Sequence, residues 1–169
     1  PEREGLLETP KRVVNSYKEF FSGYDSKPEQ ILSKTFDEVE GYDEMVIVRD
    51  IAIESHCEHH MVPFIGIAHI GYIPNKRIVG ISKLARIADV FAKRLQTQEI
   101  MTAQIADTIN EVLKPKGVAV VIDAQHQCMT TRGTHKTESS TITSRMLGLF
   151  RTNSNTRNEF MNLINSANS

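Results

Sequence analysis

The two cysteines of this chain each sit among histidines, in two stretches far apart: Cys57-Glu58-His59-His60 and His126-Gln127-Cys128. Thiolate sulfur with imidazole nitrogen is the donor set that zinc selects over magnesium or calcium. If both stretches serve one ion, the fold must bring two remote element ends to one point. Cys57 and His60, with two residues between them, can turn onto an ion from a tight loop, and Cys128 can supply a third ligand. Three protein ligands leave a position for water, whose pKa zinc lowers to about 7. A closed structural site of Cys57, His60, His126 and Cys128 satisfies tetrahedral zinc equally well, and spacing does not separate the two. His59 and His126, as uncommitted imidazoles beside ligands, favour catalysis, because a group titrating near neutrality shuttles protons.

Other readings of the cluster are weaker. A zinc deaminase would use a carboxylate such as Glu58, but the Pro-Cys-x-x-Cys partner motif is missing. A cysteine nucleophile activated by histidine ranks below zinc. His56, His69 and His135 read as ordinary core or surface residues.

The 169 residues are 40% hydrophobic and 24% charged, which fits a globular domain with a real core. A formal net charge of −1 argues against a nucleic-acid or membrane-surface binder, so an anionic ligand needs a local basic pocket. No apolar run approaches the roughly 20 residues that span a bilayer, and Pro1-Glu2-Arg3-Glu4-Gly5 lacks a signal peptide's apolar region. A cytoplasmic protein with reduced cysteines is expected. The first residue is Pro rather than Met, so a longer polypeptide is expected too.

Thr9-Pro10 reads as a capped helix start, with Val13, Val14, Tyr17, Phe20 and Phe21 at helical spacing up to Gly23. Met45 to Ile53 and Phe64 to Ile73 are rich in valine and isoleucine and predict strands flanking the cluster. Ser82 is expected to cap a helix carrying Leu84, Ile87, Ala88, Phe91 and Leu95 on one face. A further helix presents Met101, Ile105, Ile109, Val112 and Leu113, ended by Pro115 and Gly117. Gly117 to Ala124 and Ile142 to Phe150 predict strands, and Thr156-Arg157-Asn158-Glu159 a capping box for a terminal helix. The order predicts an α+β domain: an antiparallel sheet of four strands with two helices on one face. The boundaries are an N-terminal helical segment, 1–40, and a catalytic domain with C-terminal helix, 41–169. Apolar residues on both sheet faces predict oligomerisation.

Ser82, Lys83 and Arg86 stand at a helix start, where free N–H groups, the dipole and two cations suit phosphates; a cap with a solvated face is the plainer reading. Arg132, just past Cys128, reads as a loop arginine or a forked phosphate ligand. Gln98-Glu99 offers an amide and a carboxylate that could meet the N–H groups of a guanine edge, though a glutamate in a first helical turn is ordinary.

These motifs occur together and in order. Cys57-Glu58-His59-His60-Met61-Val62-Pro63-Phe64, Gly80-Ile81-Ser82-Lys83-Leu84-Ala85-Arg86-Ile87, Gln96-Thr97-Gln98-Glu99, His126-Gln127-Cys128-Met129 and Arg132-Gly133 closely resemble the GTP cyclohydrolase I family. The resemblance runs from about Pro1 through Thr9-Pro10-Lys11-Arg12 to Thr156-Arg157-Asn158-Glu159-Phe160. It implies the tunnelling fold, with sheets joined into pentameric barrels that pair as a homodecamer and active sites between subunits. It also implies a hydrolase that converts GTP and water to formate and 7,8-dihydroneopterin triphosphate, opening folate or tetrahydrobiopterin synthesis. By position, Cys57, His60 and Cys128 match the zinc ligands, and His126 and His59 match proton-transfer residues at the purine and near the ribose. Ser82 matches a residue near ribose and phosphates. Gln98 and Glu99 match guanine recognition, and Lys83, Arg86 and Arg132 match the triphosphate clamp. One departure is Asn15, where the family commonly carries lysine three residues after the arginine matched by Arg12. Two rivals stay open: another tunnelling-fold pterin enzyme, such as a pyruvoyl-tetrahydropterin synthase relative, and a zinc-stabilised GTP-binding assembly protein without turnover.

Overall fold

The computed structural model describes residues 2–36 and 41–166. The expected boundary at residue 40 lies outside them. In chain order the elements are helices α1 (Glu4–Leu7) and α2 (Thr9–Phe20), a 3-10 turn (Ser22–Asp25), α3 (Pro28–Leu32), strands β1 (Thr35–Phe36), β2 (Val46–Cys57), β3 (Pro63–Ile73) and β4 (Ile78–Val79), helix α4 (Ile81–Ala92), strand β5 (Leu95–Gln96), helix α5 (Gln98–Leu113), strand β6 (Gly117–His126), helix α6 (Gln127–Thr130), strand β7 (Thr141–Gly148), and helices α7 (Leu149–Thr152) and α8 (Ser154–Asn165).

Four long strands form the expected antiparallel sheet in the order β2-β3-β6-β7, and the two-residue β5 adds a parallel strand beside β2. Alternation along the strands sorts the faces. Ile51, Ile53 and Cys57 of β2, Phe64, Ala68, Ile70 and Tyr72 of β3, and Val118, Val120, Ile122 and Ala124 of β6 share one core with α4 and α5. Leu84, Ile87 and Phe91 bind α4 to it, and Met101, Ile105, Ile109 and Leu113 bind α5. Full burial of each such large side chain stabilises by roughly 1.5–3 kcal/mol. Leu32 of α3 enters the same core, so the N-terminal segment packs into the domain. The opposite face receives α8: Phe160 and Ile164 pack on Ile73, Ala119 and Val121. Further along that face Ile65, Ile67 and Ile142 remain exposed.

Several element ends differ from the sequence reading. Helix α2 starts after Glu8 without a side-chain cap, and Thr9 instead donates back to the Gly5 carbonyl at 3.3 Å. Gly80, not Ser82, is the N-cap of α4. Asn153, not Thr156, caps α8, accepting from the N–H groups of Asn155 and Thr156. Lys114 ends α5 in the left-handed region, at φ 48°. The predicted strand from Ile142 stops at Gly148, where a short helix takes over.

Gly66 sets how closely β3 and β6 approach near the cluster. A Cβ there would lie 2.0 Å from the Asp123 carbonyl oxygen and 2.5 Å from the Ala124 Cα. Only glycine admits this spacing.

His69, read as an ordinary core residue, is 7% exposed, and its Nδ1 accepts from the Asp50 N–H at 3.2 Å. Burial pushes its pKa down; Arg49 acts the same way, while Asp50 and Asp123 oppose. The folded chain therefore binds fewer protons than the unfolded chain in this range. The stability His69 contributes is present above its ordinary value of about 6.5 and is lost as the pH falls below it. His69→Asn, which keeps an acceptor that does not titrate, is expected to flatten the fall in melting temperature between about pH 7 and pH 5. An unchanged slope in thermal melts would remove His69 from the acid response.

Candidate metal centre and active site

The strands bring the two cysteine-histidine stretches together. Strand β2 ends at Cys57, and residues 58–62 return the chain to β3 in a tight turn: the Met61 N–H donates to the Cys57 carbonyl at 2.8 Å and the Cys57 N–H to the Val62 carbonyl at 2.9 Å. Met61 completes the turn at φ 52°. Strand β3 places Phe64 opposite His126 at the end of β6, and α6 carries Cys128 just beyond. The ligand atoms of Cys57, His60 and Cys128 all lie within 4.8 Å of one another, and this is the one such group among the described residues. His126 and His59 stand outside it, although His59 Nδ1 is 3.6 Å from the Cys57 sulfur. Three side chains of this chain could therefore hold a metal, and the four-ligand set with His126 is not assembled.

Burial, and then the neighbouring Cys57 sulfur, push the Cys128 thiol up, and Arg132 opposes them. A metal held by Cys57, His60 and Cys128 would reverse this, since a ligating thiol is deprotonated outright. Arg132 Nη1 lies 3.3 Å from His60 Nε2.

His126 is half-buried behind the cluster. Its ring stacks on Phe64 at 4.6 Å and 9°, and Nε2 lies 2.7 Å from Gln98 Oε1. Burial pushes its pKa down, and Glu99 pulls the other way. Glu99 is exposed in the first turn of α5, at the same end of the sheet. Gln98, matched to guanine recognition by resemblance, is placed differently. It is 1% exposed, and its Nε2 donates to Ile122 O (3.1 Å), Thr141 O (2.8 Å) and Thr143 Oγ1 (3.1 Å). Phe64, Thr102, Thr143 and Thr141 are site residues that the sequence reading gave no role. Apart from the bond of Thr102 to the Gln98 carbonyl four residues back, their partners are remote in the chain, and no local pattern marks them.

Ser82, Lys83 and Arg86 do not join this end. Helix α4 finishes beside β5, which pairs with His56 and Cys57. Its start lies at the opposite end, where the Val79 N–H donates to Tyr72 Oη and Tyr72 pairs with Val46. Ser82 and Ala92 are ten helical steps apart, about 15 Å at 1.5 Å each. The basic helix start and the cluster therefore occupy opposite ends of one chain.

The model of the GTP cyclohydrolase I family matches residues 1–165. The chain belongs to this family. GTP cyclohydrolase 1 of Maricaulis maris is 56% identical over 167 residues, covering 99% of this chain and 82% of the relative. The GTP cyclohydrolase 1 proteins of Hyphomonas neptunium and Brucella suis are each 58% identical, covering 96% and 97% of this chain and 79% and 77% of those relatives. Membership of the GTP cyclohydrolase I family accounts for the Cys-His-Cys group as a metal site. Among the described residues no helix is long and apolar enough to cross a membrane.

Proposed function

We propose that the chain is a zinc-dependent GTP cyclohydrolase I, converting GTP and water to formate and 7,8-dihydroneopterin triphosphate at the start of folate or tetrahydrobiopterin synthesis. The observation that carries the reading is the three-ligand group of Cys57, His60 and Cys128 with His126 beside it but outside it. A tetrahedral ion with bonds of about 2.3 Å to sulfur and about 2.0 Å to nitrogen sets its ligand atoms roughly 3.5–3.8 Å apart. The Cys57 sulfur and His60 Nδ1 are 3.9 Å apart and all three ligand atoms lie within 4.8 Å, so the group would draw in to close on zinc. Zinc held by these residues would supply a Lewis acid and a water of lowered pKa.

The remaining roles fall to side chains. His126 moves protons at the purine imidazole ring, and His59, exposed on the turn, moves them near the ribose. Glu99 accepts from the guanine N–H groups. Lys83, Arg86 and Arg132 clamp the triphosphate, and Ser82 lies near the ribose and phosphates. Since Ser82, Lys83 and Arg86 sit at the far end of the sheet, one chain's basic helix start completes the cluster of another. The exposed Ile65, Ile67 and Ile142 add an apolar reason to assemble, and the assembly is a homodecamer of paired pentamers. Both cysteines are free thiols, in keeping with a reduced cytoplasmic setting.

Zinc-loaded protein given GTP is expected to release formate and a pterin that fluoresces after oxidation, and a chelator is expected to stop both. Zinc-loaded protein that leaves GTP intact would overturn the reading.

A further inference from the structure

The hydrogen bonds around Gln98 determine where the proton of His126 sits. Two acceptors of the Gln98 amide, Ile122 O and Thr141 O, are backbone carbonyls with no proton to give. Only the NH₂ end can face them, which turns Oε1 toward His126 Nε2 at 2.7 Å. An amide oxygen only accepts, so the proton in that contact belongs to His126 Nε2. The neighbouring hydroxyls agree with this orientation. Thr102 Oγ1 donates its one proton to the Gln98 backbone carbonyl at 2.6 Å. Thr143 Oγ1 must then donate to Thr102 Oγ1, 2.7 Å away, while it accepts from Gln98 Nε2. A flipped amide would set its oxygen against two carbonyl oxygens. The stack on Phe64 holds the plane of the imidazole, and at 1% exposure Gln98 presents no free edge to a ligand.

We propose that Gln98 is a positioning residue that holds His126 in the tautomer protonated at Nε2, leaving the Nδ1 lone pair to accept a proton, and that it does not contact the base. The proposal deepens the reading of His126 as a proton-transfer residue and rests on it. An imidazole that must accept a proton at one atom is inactive in the tautomer that already carries one there; in serine proteases a wrong tautomer costs about ten-thousandfold. The carboxamide of Gln98 selects the tautomer without adding a charge beside the metal group.

The test uses zinc-loaded, assembled protein labelled with ¹⁵N-histidine, with the His126 signals identified in solid-state NMR spectra by their loss in His126→Asn. The expected result is a protonated Nε2 and an unprotonated Nδ1. Gln98→Met removes the selecting oxygen, and Gln98→Asn keeps an amide too short to span His126 and the carbonyls. Each is expected to shift population toward the Nδ1-protonated form and to lower kcat at least tenfold, with KM for GTP within about twofold. A wild-type spectrum with the proton on Nδ1 overturns the proposal even if neither variant folds. A KM for GTP that rises tenfold at unchanged kcat also overturns it, since that is the signature of a lost base contact. If wild-type protein shows the Nε2 tautomer but releases no formate, the reaction reading fails while the tautomer assignment stands.

Discussion

Cys128→Ala is expected to lose bound metal and formate release together, with kcat down by about a thousandfold or more. Cys128 is the one ligand drawn from the second stretch, and without it the metal keeps only Cys57 and His60 from neighbouring positions on one turn. A Lewis-acid metal contributes several kcal/mol to a hydrolytic transition state, and about 4 kcal/mol is a thousandfold in rate. The fold should survive, because Cys128 is half-buried on a four-residue helix outside the sheet. Metal content by emission spectroscopy, beside formate release and a thermal melt, checks all three. Turnover that persists without metal would remove the Cys-His-Cys group from the reaction.

His126→Ala is expected to do something different: metal and assembly are retained, and kcat falls by about 10²–10⁴, the usual contribution of a positioned proton-transfer group. The side chain touches Phe64 and Gln98 and lies outside the ligand group, so its loss takes no donor from the ion. It does leave Gln98 Oε1 without its partner and a space beside Phe64, and some loss of thermal stability should accompany the loss of rate. Zinc content measured on the same preparation decides the interpretation. If the metal goes with the imidazole, His126 is a fourth ligand, and the closed structural site returns.

Much of this architecture is legible in the chain. Valine and isoleucine in β3 and β6, and helical spacing in α4 and α5, identify the core because burial of those side chains decides their elements. The metal group is legible because few residue types bind zinc and here they cluster. Element ends are less legible, since capping groups compete within a residue or two: Gly80 takes the extended backbone that Ser82 was expected to take. Strand β2 runs past the expected end at Ile53 to Cys57, because pairing with Phe64 and Pro63 holds the backbone of Ser55 and His56. The bulge between Val48 and Ile51, with Asp50 at φ 56°, has no local signal at all. The role of Gln98 is hidden for the same kind of reason. Next to an exposed glutamate it looks like half of a recognition pair, and only the fold shows that its amide points at a histidine and three acceptors from distant strands.

The separation of the basic helix start from the cysteine cluster has a genetic consequence. A chain damaged at Cys128 still carries an intact Ser82-Lys83-Arg86 end, and a chain damaged at Arg86 still carries an intact cluster. If one chain's helix start completes another's cluster, as proposed above, the two co-assembled lend each other what each lacks, and some sites in the mixed particle are whole although every chain in it is defective. Two recessive lesions at opposite ends of this sheet would then complement within one gene, and two lesions at the same end would not.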